Sequence, residues 1–470
     1  MKTTTRSLAR PLAMLCLLAT LPLAGGDLRV GIAAVDITPP LGMPMAGYYH
    51  ERPAEGVLDP LYSKAMVIEA GGDRVALVTL DIISVTRNVT DRARLEIERT
   101  TGIRGTAVMI SATHAHTGPE LVEGDRSITG PGAPKPVAVE YTEKLPERIA
   151  SSVREANAAL QSAVLRSATG RCEGLAFNRR FFMNDGTVGW NPGKLNPNLG
   201  LPAGPTDPEV GVLQVGSPGN QGPSTVRATY VNFAMHPDTT GGMRFSADWP
   251  GALGRVLAGY HGARHLTLVA NGTCGNLNHL DFHWGGPQGG PGEQNRIATI
   301  LGAAVFQACK SLEPLPPGPL RCRSETVELP LPPVTPQEVA EARVTLESTR
   351  DDRGANFMKR VRAHRVLDIA EREGRPHRVE VQAIALGQDL AWVGLPGEIF
   401  VELGLAVKRR SPFGQTLVVE LANENIGYVP DRRSYAEGNY EPESARCAAG
   451  SGERLVDAAV HLLGSLHNIE

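Results

Sequence analysis

The sequence has 470 residues, 41% of them hydrophobic and 21% charged, and a formal net charge of -3 at pH 7. A mildly acidic chain with no basic cluster interleaved with aromatics is a poor match for a phosphate backbone, which excludes nucleic acid as a partner. No apolar run is long enough for a confident membrane span, and five cysteines beyond residue 24 are too few for a disulfide scaffold.

The first 24 residues read as an address. Lys2, Arg6 and Arg10 precede an apolar run from Leu12 to Ala24, the layout of a secretory signal peptide cleaved near Ala24. Cys16 does not sit in a lipoprotein context. Removing the segment takes three cations and no acid, leaving about -6 on a chain expected to be secreted or periplasmic, residues 25–470 forming one domain. Its five cysteines, Cys172, Cys274, Cys309, Cys322 and Cys447, leave at least one thiol unpaired in a monomer.

Arg29 to Pro40 predicts a strand stopped by the double proline Pro39-Pro40, and Lys64–Ala70 with Arg74–Leu80 a hairpin turning at Gly71-Gly72-Asp73. Asp81 ends the second of these strands, either as an acceptor for an imidazole N–H or as a cap. Thr90–Thr101 has helical spacing. Thr106 to Ser111 is β-branched and apolar and leads into Ser111-Ala-Thr-His-Ala-His-Thr-Gly-Pro119. On a strand, residues two apart face one side, so His114 and His116 share one space and supply half of a tetrahedral zinc site.

Glu140–Ser162 carries Leu145, Ile149, Val153, Ala156 and Leu160 on one stripe, and Pro146 places the start of its regular part near Leu145. Gly186 to Pro208 is so rich in Gly, Pro and Asn that no regular element is expected. The strand Thr225–Ala234 runs into Met235-His236-Pro237-Asp238, a second apolar strand that delivers a histidine at its end. Leu266–Ala270 breaks into Asn271-Gly-Thr-Cys-Gly-Asn-Leu-Asn278. Arg296–Leu312 is a helix, Leu320–Leu331 an edge-like strand, and Thr335–Glu373 two helices broken near residues 351–354. Leu390–Gly394 leads to Leu395-Pro-Gly-Glu398, where Glu398 either reaches a metal or occupies the first turn of the helix that follows. Thr416–Leu421 is the last clear strand, before a polar aromatic loop, 423–443, with Tyr428, Tyr435 and Tyr440. The alternation of elements predicts an α/β fold, mixed central sheets flanked by helices, with the site at strand ends.

These segments carry a resemblance. Val35-Asp-Ile-Thr38, the His114/His116 motif, Phe177-Asn-Arg179, the strand ending at His236, Gly275-Asn-Leu-Asn278, Leu395-Pro-Gly-Glu398 and Gly427-Tyr-Val-Pro430 stand in the order found in the neutral, non-lysosomal ceramidases. The sequence resembles that family of zinc-dependent amide hydrolases over nearly all of the mature chain, without the carboxy-terminal immunoglobulin-like domain of typical members. The resemblance implies one Zn2+ per chain held by His114, His236, Glu398 and Tyr428, with His116, Arg179 and Tyr440 lining the reacting centre. It also implies attack of zinc-bound water on a lipid or other N-acyl amide, at peripheral contact with membrane lipid. Two departures bear on the substrate. Asn278 stands where the family has a serine and Asn276 where it has an aspartate, and Glu120 adds a charge after the histidine motif. Asparagine holds a water or a carbonyl but is not a nucleophile. A metal-stabilised binding protein for lipid or glycan, a hydrolase of a different amide or ester, and a Cys274 nucleophile in a glycine-flanked turn are the alternatives.

Overall fold

A computed structural model describes residues 28–468, apart from 125, 128–132, 220–221, 223–224, 350–353 and 355. The leader expected at residues 1–24 therefore lies outside the described residues. Three sheets form the centre. The first joins Arg29–Asp36, Tyr62–Ala70 and Asp73–Leu80 in antiparallel order, with Val108–Ala112 added parallel at one edge and a short Gln161–Ser162 strand at the other. In the second, Val164–Arg171, Glu209–Gly216 and Val226–Phe233 run antiparallel, and Leu266–Asn271 lies parallel to the last of them. The third takes Leu320–Leu329, His377–Leu386 and Leu390–Gly394 antiparallel, with Gln415–Val419 parallel at its end.

One core joins the three sheets because apolar residues alternate along each strand. Val67 and Leu77 of the first, Leu213, Tyr230 and Leu268 of the second, and Ile384, Trp392 and Leu417 of the third pack in the same cluster. The opposite faces meet helices. Val210, Val212, Val231 and Val269 pack against Asp248–His261 and Pro291–Ala308. Val381, Ala383, Val393 and Val418 pack against Val401–Arg410 and Ser451–His467. This is the mixed α/β architecture expected from the alternation of elements.

Several boundaries differ. The helix expected to begin near Leu145 starts at Pro136, so Pro146 sits inside it. Its buried stripe from Ala138 to Ala156 outweighs the hydrogen bond that an internal proline removes. Residues 186–208, expected to be irregular, hold the strands Val188–Trp190 and Leu199–Pro202, which flank Arg180–Met183. The loop 423–443 contains a short strand, Tyr428–Val429, and two short helices, Arg432–Glu437 and Tyr440–Ser444. The helices Pro336–Ser348 and Phe357–Glu371 form the expected pair.

Candidate metal centre

Each sheet contains one parallel pair, and the loops that leave those pairs at their carboxyl ends meet. His114 follows Val108–Ala112, His236 follows Val226–Phe233, Cys274 follows Leu266–Asn271, Glu398 follows Leu390–Gly394, and Glu420 follows Gln415–Val419. Open α/β sheets present ligand sites at such ends. Buried amides sew the three loops together. Asn271 donates to the Thr113 carbonyl at 3.3 Å, and Asn232 donates to the carbonyls of Ala270 and Val418 at 3.0 Å each.

The two histidines of the His-x-His motif share a space, but not by strand pleat. The strand ends at Ala112, and His114 adopts a left-handed backbone, φ 72°. That conformation is costly for a residue with a side chain, and here it is held by hydrogen bonds from the Thr113 and His114 amides to the carbonyls of Leu80 and Ile82, 2.9 and 3.0 Å. The bend turns the ring Nε2 of His114 to within 3.3 Å of the His116 Nε2. Gly47 makes room for His116, since a Cβ there would lie 2.8 Å from its Nδ1.

His114 Nδ1 lies 2.9 Å from the Ile83 carbonyl and His236 Nδ1 lies 2.8 Å from the Cys274 carbonyl. A carbonyl only accepts, so both rings donate to it from Nδ1 and turn Nε2 inward. Glu398 Oε2 sits 3.2 Å from His114 Nε2 and 3.3 Å from His236 Nε2. Glu398 belongs to a two-residue strand, Glu398–Ile399, rather than to the first turn of the following helix, and it pairs in parallel register with Tyr428–Val429. That register sets Tyr428 beside Glu398. Gly397 permits it, because a Cβ there would come within 2.7 Å of the Gly427 carbonyl.

The Tyr428 hydroxyl accepts from Arg179 Nη2 at 3.0 Å. Arg179 also donates to the Gly275 carbonyl at 2.7 Å and, through Nε, to Glu441 at 2.8 Å. Glu441 accepts in turn from Arg180 at 3.1 Å. Tyr440 lies against Trp190, ring centroids 4.1 Å apart, and Phe357 stacks on both, at 5.6 Å from Tyr440 and 5.8 Å from Trp190.

Electrostatics follow from burial and these neighbours. Burial, with Arg179 and His114 nearby, pushes His236 down to about 3. His116 falls well below its usual value for the same reason of burial, with His114 adding to it. Against the desolvation that burial imposes, His114 and His236 hold the Glu398 carboxyl well below the usual carboxylate range. Burial raises the Tyr428 hydroxyl, an effect that Arg179 opposes.

Zinc fits this donor set on three counts. The ring nitrogens of His114, His116 and His236 lie within 4.8 Å of one another. The separations of 3.2 and 3.3 Å from Glu398 Oε2 to the two imidazoles match the edge of ~3.3 Å expected for a tetrahedron of ~2.0 Å bonds. His236 Nε2 and Glu398 Oε2 are buried without a hydrogen-bond partner, and an orphaned lone pair in the interior is costly unless something occupies it.

Other expected residues lie elsewhere. Asp81 does not serve an imidazole: it takes Lys64 at 3.0 Å and the Tyr62 amide at 3.0 Å, and backbone carbonyls perform the orienting role instead. Asn278 pairs with Phe177 in a short antiparallel ladder. Its side chain donates to Asn191 at 2.9 Å and accepts from the Leu280 amide at 3.1 Å. Cys274 is fully buried, and burial together with Glu420 pushes its thiol well up, the reverse of what a thiolate nucleophile needs. Sequence reasoning passed over Glu420, Glu441, Trp190 and Phe357. A lone acid ending the apolar run Leu417-Val-Val-Glu420 was the available sign for the first of them.

Residues 28–184 match the family model described as neutral/alkaline non-lysosomal ceramidase, N-terminal. The fold is similar to that of a neutral ceramidase from Pseudomonas aeruginosa, with a TM-score of 0.73 and 20% identity over 95% of this chain and 76% of that one. A ceramidase complexed with C2 is similar at a TM-score of 0.72 and 18% identity, over 94% of this chain and 75% of the other. A comparison with curated protein sequences gave no match. The family match thus covers residues 28–184, the neutral/alkaline non-lysosomal ceramidase N-terminal model, and the fold is shared with the solved ceramidases over almost the whole length.

Proposed function

We propose that the chain is a zinc-dependent hydrolase of a linear N-acyl amide, ceramide or a related compound, exported to the periplasm or the medium. The convergence of His114 Nε2, His236 Nε2 and Glu398 Oε2 within 3.3 Å, two of these three atoms buried and unpartnered, carries this reading. Those residues and Tyr428 would hold the ion. When bound, zinc supplies a Lewis acid for the carbonyl and a nucleophilic water near neutral pH.

The protein's own groups account for the rest. Arg179, buried and fixed by Glu441 and the Gly275 carbonyl, presents a cation beside Tyr428 where an oxyanion would develop. His116, with its Nε2 3.3 Å from that of His114, is the imidazole placed to carry a proton to a departing amine, against a burial that disfavours its charged form. Tyr440, Trp190 and Phe357 form an apolar wall that excludes water and receives an acyl or sphingoid chain. Among the described residues no helix is long and apolar enough to cross a membrane.

Metal content and hydrolysis of a panel of N-acyl substrates, ceramides included, test this in the purified protein and in His114→Ala. Stoichiometric zinc with multiple turnovers that vanish in the variant is expected. A protein that takes up no zinc would overturn the reading. Zinc without turnover on any amide or ester would favour a binding protein.

A further inference from the structure

Glu420 lies beneath the three converging side chains and is not used by the hydrolysis outlined above. It is 0% exposed and, among the described residues, forms no ion pair. Its Oε2 accepts from the amides of Cys274 at 3.0 Å and Ile399 at 2.9 Å, and its Oε1 accepts from the Cys274 thiol at 2.9 Å. All three donors sit at attachment points of the metal centre. The Cys274 carbonyl is the acceptor that orients His236, and Ile399 is the residue after Glu398.

We propose that Glu420, with Cys274, is a positioning unit for the metal centre: one carboxylate ties the turn that orients His236 to the strand that carries Glu398, and so sets affinity for the ion. The inference rests on the zinc reading above. Its physical basis is the sharing of one acceptor. The turn 271–275 leaves the second sheet and Glu398–Ile399 leaves the third, and a backbone hydrogen bond joins them at this point, from the Gly275 amide to the Ile399 carbonyl, 2.8 Å. Glu420 adds two hydrogen bonds from the turn and one from the strand at the same seam. Removing the carboxylate orphans two buried amides, and the turn and the strand then relax apart, carrying the His236 orientation and the Glu398 oxygen with them. Partners behind metal ligands act on affinity in this way, since the ligand lone pairs must converge before the ion arrives.

The test measures zinc affinity of the full chain by competition with a chelator, the visible spectrum of the Co2+ form, and the melting temperature of the metal-free protein. Glu420→Gln is expected to weaken zinc about 10- to 100-fold, the range seen for groups behind metal ligands, and to alter the Co2+ bands. Cys274→Ser, whose hydroxyl still donates to the carboxylate, is expected to stay within about threefold of wild type, the conservative rescue of a positioning role. Glu380→Gln, a buried acid paired with Arg94 away from the site, is expected to lower the metal-free melting temperature and leave zinc affinity unchanged.

Zinc affinity of Glu420→Gln within about twofold of wild type overturns the proposal, as does an equal loss in Glu380→Gln. Should Glu420→Gln fail to fold, Cys274→Ala replaces it, with weakened zinc expected and unchanged affinity overturning the proposal. A wild-type chain that binds no zinc overturns the functional reading, and the positioning role with it. A wild type that binds alongside indifferent variants overturns the positioning role alone.

Discussion

His114, His236 and Glu398 stand just beyond core strands and are oriented by carbonyls and buried carboxylates, whereas Trp190, Phe357 and Tyr440 ride on a short hairpin, an outer helix and a five-residue helix. The first group has no freedom to drift, because each loop leaves a parallel pair buried in the shared core. The second group is held mostly by ring contacts with its own members. On the proposed function, chemistry would be fixed by sheet topology and the shape of the substrate left to elements on the periphery. Specificity can change on such a scaffold without disturbing the reacting centre.

Substitutions on the two sides should separate cleanly. After His114→Ala, the largest loss is expected from Arg179→Ala, which removes the cation beside Tyr428. We expect kcat to fall roughly 10²–10³-fold, the scale for one oxyanion donor, while zinc content stays stoichiometric. A smaller, different effect is expected from Trp190→Ala and Phe357→Ala. Each should raise KM for long-chain N-acyl substrates by about 10-fold, the order of one lost apolar contact, with kcat and metal content close to wild type. Steady-state kinetics across a chain-length series would show whether the wall selects the substrate, and equal losses in kcat on both sides would erase the distinction.

The smallest effect lies outside both regions. Burial pushes His265 and His377 down to about 4 each. A histidine whose folded pKa is depressed contributes stability that is present above the unfolded value of about 6.5 and is lost as pH falls toward the folded value. Metal-free protein should therefore melt at progressively lower temperature between about pH 6.5 and 4, and His377→Gln should flatten part of that slope. A melting temperature that is level across this window would contradict it.

The candidate metal ligands are legible in the sequence and the aromatic cluster is not. His114, His236 and Glu398 each end or follow an apolar β-branched run, and period-two patterning together with Pro-Gly punctuation marks such positions. Spacing predicts that a strand pleat pairs His114 with His116, and a left-handed turn does so instead. Backbone acceptors such as the carbonyls of Ile83 and Cys274 have no side-chain signature, so Asp81 was the only visible orienting group and it went to Lys64. Trp190 lies in a stretch whose glycines and prolines conceal strands paired by contacts distant in sequence. Asn278 was placed by its position in a motif, and its hydrogen bonds turn it toward Asn191.

The three parallel pairs also bear on how the chain folds. Residues 114, 236 and 398 come from separate sheets, so a complete metal site exists only after all three have docked. Partly folded forms would offer the ion two imidazoles at most, and binding then stabilises the finished assembly by mass action. An ion bound in this way acts on unfolding more than on folding: it would slow the separation of sheets already docked and leave the rate at which each sheet first forms largely untouched.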